Sequence, residues 1–156
     1  MGGEFLINDV AKTPWDLWVV GIVALLWNGG GAYDYTMTQT RNMEYLQQAA
    51  DNAGVSLDVI LDYYTQFPAW ADAVWAMGVW GAVAGSILLL IRNRFAFHAF
   101  VVSIVGLLGT TVFTVISNLP EELNTSFTWI FTAVIWVITL GLTYYSKRMA
   151  DAGVLR

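Results

Sequence analysis

The residues best suited to chemistry stand together in Trp27-Asn28-Gly29-Gly30-Gly31-Ala32-Tyr33-Asp34-Tyr35. Asn28 brings an amide into an apolar run, and Asp34 brings a carboxylate just beyond it. The glycines between them each cost a helix roughly 1 kcal/mol relative to alanine. The expectation is a helix that loosens or ends here. Broken membrane helices expose backbone carbonyls and amides, which transporters use as ligands. Asn28, Gly29, Gly30, Gly31 and Asp34 are therefore the candidate solute site. A packing account stands beside it: the glycines admit a bulky neighbour, and Asn28 bonds to backbone.

Other chemistry is thinly represented. The chain has no cysteine, which excludes disulfides and thiolate nucleophiles or metal ligands. Its one histidine, His98, cannot build a multi-His metal site alone. It reads as an interfacial hydrogen-bonder, although a single imidazole suffices to ligate one pigment. No paired mid-membrane carboxylates, Ser–His arrangement, phosphate loop or metal spacing is visible. The expectation is a protein that is not an enzyme and carries no cofactor.

The elements that hold these residues follow from charge. Of 156 residues, 57% are hydrophobic and 12% charged, where a soluble domain carries about 25%. Four runs carry no Asp, Glu, Lys or Arg: Leu17–Tyr33, Ala73–Ile91, Phe95–Leu119 and Leu123–Ser146. Roughly 20 helical residues cross a bilayer core of about 30 Å. The first run is read as a retained span, extended by Pro14, Trp15 and Asp16. The fold expected is an all-α, integral membrane four-helix bundle forming a single transmembrane domain. Its spans cover about 15–35, 69–91, 95–118 and 124–146, with a short helical cap over about 40–67.

The charges between the runs alternate in sign. One side carries Lys12, Arg92, Arg94, Lys147, Arg148 and Arg156 against Glu4, Asp9, Asp16 and Asp151, a net +2. The other carries Arg41 against Asp34, Glu44, Asp51, Asp58, Asp62, Asp72, Glu121 and Glu122, a net −7. Basic residues concentrate on the cytoplasmic side of membrane proteins. Both termini are thus expected in the cytoplasm of a bacterium, with the chain in its inner membrane and the cap in the periplasm. Within the cap, Thr40 could start one helix over 41–50. Gly54 ends it, and Ser56 could start a second helix over 57–67. Leu57, Ile60, Leu61 and Tyr64 give that second helix one apolar face.

The spans differ in their faces. Gly78, Gly81 and Gly85 share one side of span two. Small residues let membrane helices approach closely, either within the chain or against another subunit. Ser103, Thr110 and Thr114 in span three, and Thr128, Thr132 and Thr139 in span four, form two hydroxyl stripes expected to face each other. The hydroxyls either bond locally to helix carbonyls or line a weakly polar path. No ionisable residue stands mid-span, which argues against an ion relay and favours a neutral solute. Arg41, the one cation on the acidic side, is expected to tether the cap through a carboxylate, with Asp72 the foremost candidate. Trp75, Trp80 and Trp136 are expected to pack against the small-residue faces.

Trp27-Asn28…Asp34-Tyr35, Phe67-Pro68-Ala69-Trp70, the run from Trp75 to Ser86 and the closing Ala152-Gly153-Val154-Leu155-Arg156 together carry a resemblance. The chain resembles small, Trp-rich inner-membrane proteins of alphaproteobacteria, loosely labelled sugar transporters. The resemblance implies a membrane location and lends weight to transport. It implies no particular site residues. Two functions stay open: an accessory or assembly subunit, or an oligomeric carrier or channel for a small neutral, sugar-like solute. The expected partners are the lipid bilayer, other membrane subunits or further copies of the chain, and a basic periplasmic protein. No nucleic acid is expected.

Overall fold

The computed structural model describes residues 12–156. Glu4 and Asp9, which enter the charge balance above, lie outside them. Among the described residues the structure is all helical, with six helices and no strand. Four are long: α1 (Trp15–Gln39), α4 (Ala69–Leu90), α5 (Ala96–Ile116) and α6 (Ser126–Asp151). Two short helices, α2 (Met43–Ala53) and α3 (Leu57–Thr65), connect α1 to α4. Among the described residues three helices, α4, α5 and α6, are long and apolar enough to cross a membrane; α1, expected as the first span, is not among them. Their large apolar side chains mostly point outward, with Val115, Ile130 and Val137 all more than 60% exposed. That arrangement suits a lipid solvent and not water.

The tightest joint is α4 against α5, and glycine makes it possible. A Cβ on Gly81 would lie 2.9 Å from the Ser103 backbone nitrogen, and one on Gly85 would lie 2.8 Å from the Phe100 ring. A Cβ on Gly106 would overlap the backbone of Gly78. Ser103 Oγ closes the seam by donating to the Gly78 carbonyl at 2.6 Å. The small-residue face of α4 is therefore consumed inside the chain. The alternative of a face held for another subunit is corrected: α5 occupies it.

Helix ends obey local chemistry. Pro14 and Pro68 stand at the N-caps of α1 and α4, where a missing N–H costs nothing. Gly54 takes φ +71° and ends α2 as expected. The start of α2 differs from expectation. Asn42, not Thr40, caps it by accepting from the Tyr45 N–H at 3.0 Å. Thr40 instead closes α1, because α1 runs on to Gln39.

The two ends of the molecule are unlike. At one, α2 and α3 pack on each other through Leu46, Ala50 and Ile60, with Leu123 beside them. This cap grips the long helices with aromatic rings: Phe67 lies 4.5 Å from Phe113, and Tyr64 stacks on Trp75 at 5.5 Å. At the other end the chain's last residues fold back. Val154 and Leu155 are buried with Leu17, Leu89 and Ala96. Arg156 exchanges two backbone hydrogen bonds with the Arg92–Arg94 turn, at 2.8 and 3.0 Å.

Candidate functional site

α1 remains one unbroken helix through Gly29–Gly31, against the expectation of a break. The energetics explain this. Three glycines cost a helix about 3 kcal/mol together. Unwinding the segment would forfeit several backbone hydrogen bonds, each backbone donor and acceptor needing a partner, so the helix continues. Nor do the glycines admit a bulky neighbour. A Cβ on any of the three would meet nothing within 4 Å. They are bare backbone beside open space.

That space is a cleft of about 560 Å³ between α1 and the other long helices, toward the cap end. The helix α4 lines it through Trp75, Gly78 and Ala82, and α5 through Ser103 and Leu107. On α6 the lining residues are Phe131, Ile135 and Thr139, and Tyr45 reaches it from the cap. Nearer the tail end, Ala24, Phe100 and Leu142 hold α1, α5 and α6 together. Farther up, the long helices leave the cleft between them. Trp27 and Phe131 stand 6.1 Å apart across its edge.

Asn28 fixes the α1 wall. Its amide donates to Ser86 Oγ at 2.9 Å and to the Ala82 carbonyl at 3.4 Å. Ser86 is fully buried, and its hydroxyl donates a hydrogen bond to the same carbonyl at 2.9 Å. One polar side chain thus ties α1 to α4 where neither offers much else to bond. Two turns along α1, Asp34 accepts from the Tyr45 hydroxyl at 2.6 Å and links the bundle to the cap. Burial, followed by the Asp34 hydrogen bond and charge, pushes the Tyr45 pKa up from its ordinary 10.

This raised pKa sets an alkaline limit on the cap. A phenol with a raised folded pKa contributes stability that is complete below its unfolded pKa. The contribution is lost as pH rises from about 10 toward the higher folded value. Ultraviolet titration of tyrosine should show several late-ionising groups, one of which disappears in Tyr45→Phe. A Tyr45→Phe titration that keeps every late step would contradict the assignment.

The other expected site residues divide clearly. Asn28, Gly30, Gly31 and Asp34 reach the cleft, while Gly29 does not. Of the hydroxyl stripes only Ser103 and Thr139 line it. The stripes do not bond to each other. Thr110, Thr114, Thr132 and Thr139 each donate to the carbonyl one turn back in their own helix. Thr128 turns to the Leu123 carbonyl. Lipid offers hydroxyls no better partner, so they satisfy themselves locally. The stripes therefore form no shared polar path.

The Arg41 tether is also corrected. Among the described residues Arg41 makes no ion pair, and the one ion pair is Lys147–Asp151 at 2.9 Å. Asp72 accepts instead from Gln39 Nε2 at 3.0 Å. The reason lies in the chain reversal. Arg41 takes φ +51° at the corner between α1 and α2, and its exposed side chain borders a second cavity of about 150 Å³ with Asp72. His98 is exposed and lies against the Phe95 and Phe97 rings, at 5.7 and 5.4 Å. Trp80 is 49% exposed and is not packed against a small-residue face as expected.

Sequence reasoning missed Tyr45, Trp75, Phe131 and Leu107 as cleft residues. Tyr45 had a signal: Asn42 three residues before it is a capping residue, and a cap there turns α2 back toward α1. The others look like ordinary lipid-facing or core positions in the sequence.

No family model matches the chain, no curated protein is detectably similar to it, and no solved structure matches it. The geometry of the cleft therefore carries the functional argument.

Proposed function

We propose that the protein is a non-catalytic, multi-pass membrane protein that binds a small, partly apolar molecule in the α1–α6 cleft and works as a carrier for it. The observation that carries this reading is the bare glycine backbone facing an unfilled cleft of about 560 Å³. Small-molecule sites span roughly 300–1,000 Å³, are mostly apolar and hold a few directed polar groups. The cleft has that character, with Asn28 and Asp34 as its polar anchors. The resemblance to Trp-rich proteins loosely labelled sugar transporters supports the same direction.

In this reading the chain is a single transmembrane domain. It crosses the bacterial inner membrane four times, with α1 as the fourth span beside α4, α5 and α6. Both termini lie in the cytoplasm, as the basic residues of the tail end favour. The cleft then opens in the outer leaflet, beneath the periplasmic cap. Oligomers of the chain would use the lipid-facing surfaces of the long helices. An assembly role keeps one support of its own. Glu44, Asp51, Asp58 and Asp62 are all exposed on the cap, a surface suited to a basic periplasmic protein.

Native mass spectrometry of protein extracted in mild detergent tests the reading. The expected spectrum shows one small molecule retained per chain. Protein that carries only phospholipid, at every detergent strength, would count against the cleft as a ligand site. A C-terminal reporter tests the orientation. Activity on the periplasmic side would reverse it.

A further inference from the structure

The cleft's polar groups are not evenly matched, and the imbalance indicates what it takes. Asp34 is the one charged residue among those that line it. Among the described residues no cation pairs with that carboxylate, and its hydrogen-bond partner is the neutral Tyr45 hydroxyl. The amide and hydroxyl donors of the wall are already committed, which leaves the indole N–H groups of Trp27 and Trp75 as its free side-chain donors among the described residues. Asn28 spends its amide on Ser86 and Ala82. Ser103 spends its hydroxyl on Gly78, Thr139 on Ile135 and Tyr45 on Asp34. What these groups still offer a guest is acceptor oxygen.

The remaining wall is aromatic and aliphatic. Trp27, Trp75 and Phe131 contribute ring surface. Aromatic faces carry negative potential and attract cations, with Trp the strongest. Asp34 is exposed at the wall of the cleft, so its carboxylate is accessible to a cationic guest. An anion would meet the Asp34 carboxylate, whose charge no cation balances among the described residues. A strongly hydrated small cation would lose its water to a largely apolar wall. A cation with an apolar body loses neither.

We propose that the α1–α6 cleft is a binding site for an organic cation, an amine or quaternary ammonium with an apolar body, held by Asp34 and the aromatic wall. The proposal rests on the reading of the cleft as a ligand site. It replaces the neutral solute expected from the absence of mid-span charge. Unbroken, α1 carries Asp34 to the wall of the cleft, so a charge at the end of the span serves the site.

Isothermal titration calorimetry on the full chain in lipid nanodiscs tests this, with empty nanodiscs as reference. The two probes are phenyltrimethylammonium and tert-butylbenzene, which share a shape and differ in charge. The cation should bind at least about tenfold more tightly than its neutral isostere, a factor worth about 1.4 kcal/mol. Asp34→Asn keeps an acceptor for Tyr45 and should erase that preference while tert-butylbenzene binding persists. Equal affinities in the native protein, or a preference that survives Asp34→Asn, would overturn the cation assignment and leave the cleft reading standing. Binding of neither probe would overturn the cleft reading, and the cation assignment with it.

Discussion

Gly106→Leu should yield almost no folded protein, whereas Gly30→Ala should leave folding intact. The two glycines look alike in sequence, each inside a long apolar helix. Their surroundings are opposite. A side chain at position 106 would run into the backbone of Gly78 and the Val74 carbonyl. Backbone cannot rotate aside as a side chain can, so α4 and α5 must part. Parting them breaks the Ser103–Gly78 hydrogen bond and opens the Gly81 and Gly85 contacts. Overpacking a core costs about 1–3 kcal/mol when side chains can adjust, and here they cannot. At position 30 a methyl group meets nothing within 4 Å. Alanine there gains up to about 1 kcal/mol of helix propensity. Thermal unfolding in detergent separates the cases. A Gly106→Leu protein with an unchanged midpoint would show that α4 and α5 are not joined as described.

Gly31→Trp carries the second large effect, on binding and not on stability. Position 31 lines the cleft, and no atom lies within 4 Å of where its Cβ would stand. An indole there would occupy much of the space a ligand needs. Affinity for any cleft ligand should fall by about 100-fold or more, equivalent to about 2.8 kcal/mol. The unfolding midpoint should hold, because α1 keeps its Asn28 tie to α4. Gly29→Trp is the matched control. It adds the same ring one residue away, at a position that does not line the cleft. Equal affinities in the two variants would show that ligand binds elsewhere.

Much of the architecture was legible from charge alone. The uncharged runs became the four long helices, and Gly54 and Ser56 fell at the helix boundaries where they were expected. The apolar side of α3 also emerged, since Ile60 is buried among Leu57, Leu61 and Tyr64. These features depend on local composition and period, which a single sequence records. The errors share another origin. The glycine triplet reads as a break because propensity weighs residues singly, while an unbroken helix keeps every backbone hydrogen bond of the segment. Arg41 reads as a tether because Asp72 is its obvious opposite charge. The turn at Arg41 and the nearby Gln39 amide are facts of three-dimensional register. The small-residue face of α4 was correctly seen, but only the position of Gly106 on α5 reveals what fills it. The cleft itself is an absence of atoms between helices, and no residue type encodes it.

The backbone at Gly30 and Gly31 borders an open cleft. Because the chain has no cysteine, single-cysteine variants report one position at a time. Maleimides react with the thiolate, which forms in water and is suppressed in an apolar environment. Gly31→Cys in intact membranes should therefore label readily with a small maleimide, while Val137→Cys on the exposed apolar side of α6 should not. A Gly31→Cys thiol as unreactive as the one at position 137 would show the cleft closed, and would contradict the account.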